Sequence, residues 1–155
     1  MPLLRAALSW NFVLATAICA SLLAQLIKVL LNLFIFHRFI AERMWGAGGM
    51  PSSHSATVCA MVVATGRYCG VNSPLFAIAA VLSIIVMYDA MGVRYETGEQ
   101  AKVLNQMIDQ WIDISEKNAP FLQNMHLKEM VGHTPIEVVT GAALGIVLGF
   151  AMPMV

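Results

Sequence analysis

From Trp10 to Phe36 the chain is almost uninterruptedly apolar. About 20 helical residues cross a bilayer core, so this stretch predicts a first membrane span. Its polar exceptions, Gln25, Lys28 and Asn32, fall at i, i+3 and i+7 and therefore share one helix face. A second apolar segment runs from about Ser55 to Cys69, a third from Pro74 to about Met91, and a fourth from Pro135 to residue 154. The second is short for a span and follows the polar, glycine-rich stretch GAGGMPSSHSA at 46–56. It is predicted to begin within a re-entrant loop, tolerated only where its backbone is buried in protein or lines a wet cavity. Residues 92–134 hold most of the charge, and Val103, Met107, Trp111 and Ile114 share one face of an amphipathic helix there. That helix is expected to lie on the membrane or to cover a site. Residues 115–126 lack periodicity and read as a loop. The pattern predicts one all-α domain over 1–155, a polytopic membrane helical bundle of about four spans plus an amphipathic helix.

Composition agrees: of 155 residues, 59% are hydrophobic and 12% charged, with a mean hydropathy of +0.73, beyond the range of a soluble globular domain. The formal net charge is zero, which excludes the basic surface that nucleic-acid binding requires. Cys19, Cys59 and Cys69 have neither ligand-like nor disulfide-like spacing and read as small buried hydrophobes. The first apolar run continues to Phe36 without a small-residue cleavage site, so a removed signal peptide is not expected. Gly141, Gly145 and Gly149 form a small-residue stripe that permits close helix packing, either within the bundle or between protomers of a homo-oligomer.

Four alternating spans would bring particular residues to one membrane face. Lys28 lies near the end of the first, His54 at the start of the second, Asp89 and Arg94 at the end of the third, and His133 with Glu137 at the start of the fourth. Ionisable groups in or beside spans are costly to bury and are functional candidates for that reason. Two histidines with a lysine, an arginine and carboxylates suit transfer of an anionic group. Phosphoryl transfer needs cations around the equatorial oxygens, an in-line nucleophile and an acid for the leaving oxygen. Histidine serves as either of the last two. The loop GGMPSSH leads into a helix whose first amides, with the Ser52 and Ser53 hydroxyls, would bind phosphate oxygens. In HTPIEV, residues 133–138, Thr134, Pro135 and Glu137 read as helix cap, first helical residue and capping-box glutamate. Glu137 is then a cap partner, an orienter of His133, or both. Other readings stand beside these: a carbonyl-bonded loop histidine at 54, a snorkelling Lys28, and ordinary helix surface at Gln100 and Asn105. Asp89 either pairs with Arg94 or Lys28 or holds a magnesium ion.

GGMPSSHSA, YDAMGVRYETGEQAKVLNQ and LKEMVGHTPIEVVTGAALG, in this order, resemble a divergent branch of the type 2 phosphatidic acid phosphatase superfamily, related to acid phosphatase and vanadium-dependent haloperoxidase. The likeness runs from about Lys28 to Gly149. It implies a helical bundle, a histidine that attacks phosphorus, an earlier histidine that protonates the leaving group, and basic residues that bind phosphate, with no obligatory cofactor. By position His133 becomes the nucleophile, with Glu137 where the superfamily has aspartate. His54 becomes the general acid, within a Pro-Ser-Ser-His block whose Ser53 replaces the usual glycine. Lys28 matches the first phosphate-binding lysine. Two expected arginines are absent: the Arg-Pro positions hold Ile35 and Phe36, and the Ser-Arg positions hold His126 and Leu127. Arg94 first, then Lys128, Arg38 or Arg43, are the substitutes.

The resemblance implies a membrane phosphatase acting on a lipid phosphate ester. The loops at 37–54 and 92–134 carry Arg38, Arg43, Arg94, Lys102, Lys117 and Lys128, against Arg5 and Arg67 on the other side. The positive-inside rule then faces the site to the cytoplasm, in what reads as a bacterial inner membrane. Phosphatidylglycerophosphate is the first expected substrate, ahead of phosphatidate and undecaprenyl pyrophosphate. The rival is a non-catalytic membrane protein or transporter that binds an anionic lipid headgroup.

Overall fold

The computed structural model describes residues 11–36, 49–114, 126–129 and 131–154. Its elements, in chain order, are α1 (Phe12–Phe36), α2 (Ser53–Cys69), α3 (Pro74–Met91), α4 (Val93–Ile114) and α5 (Pro135–Ala151), with no strand among the described residues. Trp10, Arg5, Arg38, Arg43, Lys117 and most of the expected 115–126 loop lie outside them, as do the side chains of Ile35, Phe36, Trp111 and Ile114.

Local chemistry sets the helix starts. Ser52 caps α2, its Oγ accepting from the Ser55 amide at 3.4 Å and from the Ser55 hydroxyl at 3.0 Å. Ser73 caps α3, with Pro74 in the first turn. Thr134 and Glu137 form the expected reciprocal capping box of α5. No loop separates α3 from α4; the chain breaks helical geometry at Gly92 and re-enters a helix at Val93.

α2 is the central helix, packed against α1, α3 and α5. The core between them is made of small residues: Ala20 and Ala24 of α1 meet Ala56 and Ala60 of α2, with Leu144 and Leu148 of α5 against them. The glycine stripe of α5 faces α2 inside the bundle. A Cβ at Gly141 would strike the Ser52 backbone, one at Gly145 the Ala56 backbone, and one at Gly149 would lie 2.6 Å from Val63 Cβ. Of the two uses expected for the stripe, it serves packing within the chain. Large apolar side chains point outward instead, among them Leu22, Phe34, Ile84 and Val147.

Among the described residues two helical runs are long and apolar enough to cross a membrane: Phe12–Phe34, and Pro74–Gln110 with its apolar part in α3. α2 and α5, expected as further spans, have 17 residues each. At 1.5 Å per residue that is about 25 Å, against a hydrocarbon core of about 30 Å. The end of the bundle away from His133 is tied by Arg67. Its guanidinium donates to the carbonyls of Gly149 at 2.6 Å and Met152 at 2.7 Å and lies 5.6 Å from the Phe12 ring centre. One side chain of α2 thus joins the last turn of α5 to the first turn of α1.

Candidate active site

His133 stands at the junction of three elements. Its backbone N–H donates to the Ala90 carbonyl at the end of α3, at 3.0 Å, and two residues later α5 begins. The preceding Gly132 has φ +84°, a conformation glycine adopts without steric cost, and a Cβ there would strike the backbone of Arg94 and Tyr95. This contact seats the histidine against the α3–α4 junction. The ring is 3% exposed and its Nδ1 lies 3.0 Å from Glu137 Oε2.

That bond selects a tautomer. A carboxylate can only accept, so Nδ1 carries the proton and Nε2 presents a lone pair. Nε2 is buried and has no hydrogen-bond partner among the described residues. An unpaired buried nitrogen is costly in a purely structural histidine and useful in a nucleophile. Glu137 performs both roles foreseen for it: Oε2 also accepts from the Thr134 amide at 3.2 Å, and its backbone carbonyl accepts from the Ser52 N–H at 3.0 Å. The last bond ties the start of α5 to the start of α2.

His54, in the first turn of α2, is exposed, and its ring meets that of His133 edge to face, the centroids 6.1 Å apart. Lys28 is 2% exposed; its methylenes pack under Gly49 and its charge acts on Glu137 and His54. Lys28, His54, His133 and Glu137 therefore converge from α1, α2 and the start of α5.

The remaining candidates divide. Ser52 is fully buried, with its hydroxyl oxygen capping α2 and its amide donating to Glu137, a structural role. Ser53 is buried in the first turn of the same helix. Arg94 is exposed and ion-paired with Asp89, although its charge still acts on His54. Asp89 thus takes the pairing that was the alternative to a metal. No group of three acidic, histidine or cysteine side chains suited to a metal ion occurs among the described residues. Lys128 is exposed and makes no bond to this cluster. Gln100 is exposed, but Asn105, read as helix surface, is 5% exposed and bonds to the chain leading to His133. Its partner is 22 residues away, so local sequence gave no sign of this; the nearest signal is Gly98 in the interior of a helix, one face-repeat earlier.

A protein from Bacillus subtilis (strain 168), called "Uncharacterized membrane protein YuiD", is 38% identical over 144 residues, which are 89% of this chain and 91% of that protein. No solved structure matches. Residues 9–148 match the Divergent PAP2 family, and that span contains all of Lys28, His54, His133 and Glu137. The chain belongs to the Divergent PAP2 family.

Proposed function

We propose that this protein is an integral membrane phosphatase that removes a phosphomonoester from a lipid, with phosphatidylglycerophosphate as the leading substrate. The observation that carries the reading is His133: Nδ1 held by Glu137, Nε2 buried and without a partner among the described residues, and a second imidazole 6.1 Å away between ring centres. The outward-facing leucines, isoleucines and phenylalanines are the surface of a chain solvated by lipid. Acyl chains would stay beside that surface while the headgroup reached the polar end of the bundle. Six basic residues in the segments at that end support a cytoplasmic orientation.

In the first step Nε2 of His133 attacks phosphorus, the P–N bond forms as the ester P–O bond breaks, and the lipid alcohol departs with a proton from His54. Glu137 balances the positive charge that the phosphorylated imidazole acquires. Water then attacks phosphorus and gives a proton to His54, the P–N bond breaks, and inorganic phosphate leaves. Lys28 and the first amides of α2 neutralise the phosphoryl oxygens. No step requires a metal.

A headgroup-binding protein without turnover is the second reading. It is favoured by the pairing of Arg94 with Asp89, which engages that guanidinium with a carboxylate of this chain. Phosphate release by purified protein separates the two. The panel is phosphatidylglycerophosphate, phosphatidate and undecaprenyl pyrophosphate, each with magnesium and with chelator. Release from one lipid that is lost in His133→Ala establishes the enzyme; binding of the same lipids without release by the wild type establishes the binder.

A further inference from the structure

The chain that delivers His133 is not a free loop. Its described residues, 127–129 and 131–133, are laid along one face of α4, built from Gly98, Ala101 and Asn105 at i, i+3 and i+7. Asn105 clamps the far end: its Oδ1 accepts from the Leu127 amide at 2.9 Å, and its Nδ2 donates to the Leu127 carbonyl at 2.9 Å and to Glu129 Oε1 at 2.8 Å. Gly98 lets the segment touch helix backbone, since a Cβ there would lie 2.6 Å from the Glu129 carbonyl oxygen and 2.9 Å from that of Val131. Gly132 closes on the Arg94–Tyr95 backbone, and the His133 amide ends the run on Ala90.

We infer that Asn105 is a positioning residue for His133, acting through the segment 127–133 that it pins to α4. The inference rests on the reading of His133 as nucleophile. Glu137 holds the ring from the α5 side, and the pinned segment holds it from the other. With either anchor lost, the Nδ1 to Glu137 bond no longer defines one ring orientation. Asn105 is suited to this role because its partners, the main chain of Leu127 and the carboxylate of Glu129, belong to exposed residues. Freed, those groups find water, so the bundle survives while the segment gains slack. A displacement of about 1 Å at a reacting atom costs up to about a hundredfold in rate.

The test compares wild type, Asn105→Ala and the exposed neighbour Gln106→Ala, each labelled with nitrogen-15 histidine in detergent. The His133 signals are assigned by their loss in His133→Ala. Wild type and Gln106→Ala are expected to give one Nδ1-protonated tautomer for His133. In Asn105→Ala the pair should collapse toward an averaged mixture, with kcat on the lipid phosphate about ten- to a hundredfold lower and KM within about threefold. If Asn105→Ala does not yield folded protein, Asn105→Gln, which keeps the amide but displaces it by a methylene, gives the same comparison. Unchanged His133 ring signals in the folded variant overturn the inference. If the wild type turns over no lipid phosphate, the phosphatase reading falls, and the ring signals still decide whether Asn105 orients His133.

Discussion

Replacing Gly141 by alanine tests whether close approach of α5 to α2 sets the geometry of the histidine pair. The new Cβ would strike the Ser52 carbonyl oxygen and lie 3.0 Å and 3.1 Å from the Ser52 nitrogen and carbonyl carbon. Carbon contacts relax at about 3.5–4.0 Å, so α5 must withdraw by roughly 1 Å. Ser52 is main chain at a buried helix cap and has no rotamer with which to move aside. Overpacking of this kind costs about 1–3 kcal/mol. Withdrawal also stretches the 3.0 Å bond from the Ser52 amide to the Glu137 carbonyl. Losing it costs about 1 kcal/mol, and alanine's better helix propensity returns about as much. The net expectation is a loss of about 1–3 kcal/mol, read as a lower thermal midpoint by circular dichroism in detergent. Ala143→Leu, on the outward face of the same helix, serves as control and should leave the midpoint nearly unchanged. A midpoint for Gly141→Ala equal to or above wild type would refute the close contact and with it the account of how α5 is placed.

Three other substitutions probe separate parts of the site and its frame. Glu137→Gln keeps a capping-box partner and so the start of α5, but loses the charge that fixes the His133 tautomer; turnover should fall about ten- to a hundredfold with the fold intact, and an unaltered kcat would remove Glu137 from the mechanism. His54→Ala should abolish release from alkyl phosphates, by about 10²–10⁴-fold, yet still label His133 from an aryl phosphate whose phenolate needs no proton. Failure of that labelling, in a folded variant, would show that His54 is not simply the acid. Arg67→Ala removes two short bonds to α5 carbonyls and the contact with Phe12 at the far end; it should cost about 2–4 kcal/mol of stability while turnover per folded molecule is unchanged.

Features controlled by neighbours in sequence were legible before the structure. The start of α5 was one, because a capping box is a contact between residues three apart and Thr134, Pro135 and Glu137 supply it in any context. The meeting of Lys28, His54 and His133 was another, since alternation of apolar segments alone places their ends together. The cap role of Ser52 was not legible, because the same hydroxyl that suits a phosphate also suits a helix cap. Asp89 and Arg94 are five apart across Gly92, and whether they meet depends on how the two helices join there. Asn105 was illegible for a different reason: its partner comes from a segment with no periodicity, pinned by hydrogen bonds and not by an apolar face.

The glycine stripe links stability to chemistry in a way that depends on height along the bundle. Alanine and glycine at the contacts between α1, α2 and α5 let the backbones of these helices approach closely. That closeness is what allows short side chains from different elements, such as the His54 and His133 imidazoles, to face each other at 6.1 Å. Wedging the helices apart near the histidines should therefore harm both fold and turnover, whereas wedging them apart at the far end should harm mainly the fold. Gly149→Ala makes the comparison. Its Cβ would meet Val63 Cβ at 2.6 Å and the Ala60 carbonyl oxygen at 3.3 Å, two turns of α5 beyond Gly141 and beside the Arg67 tie. Its cost in stability should be of the same order, about 1–3 kcal/mol, but kcat per folded molecule should stay within about threefold of wild type, against about tenfold or more lost in Gly141→Ala. Equal losses of kcat in the two variants would mean that α5 moves as a rigid rod about some other point, and that the position of His133 is set by the segment preceding α5 and not by the α2 contact.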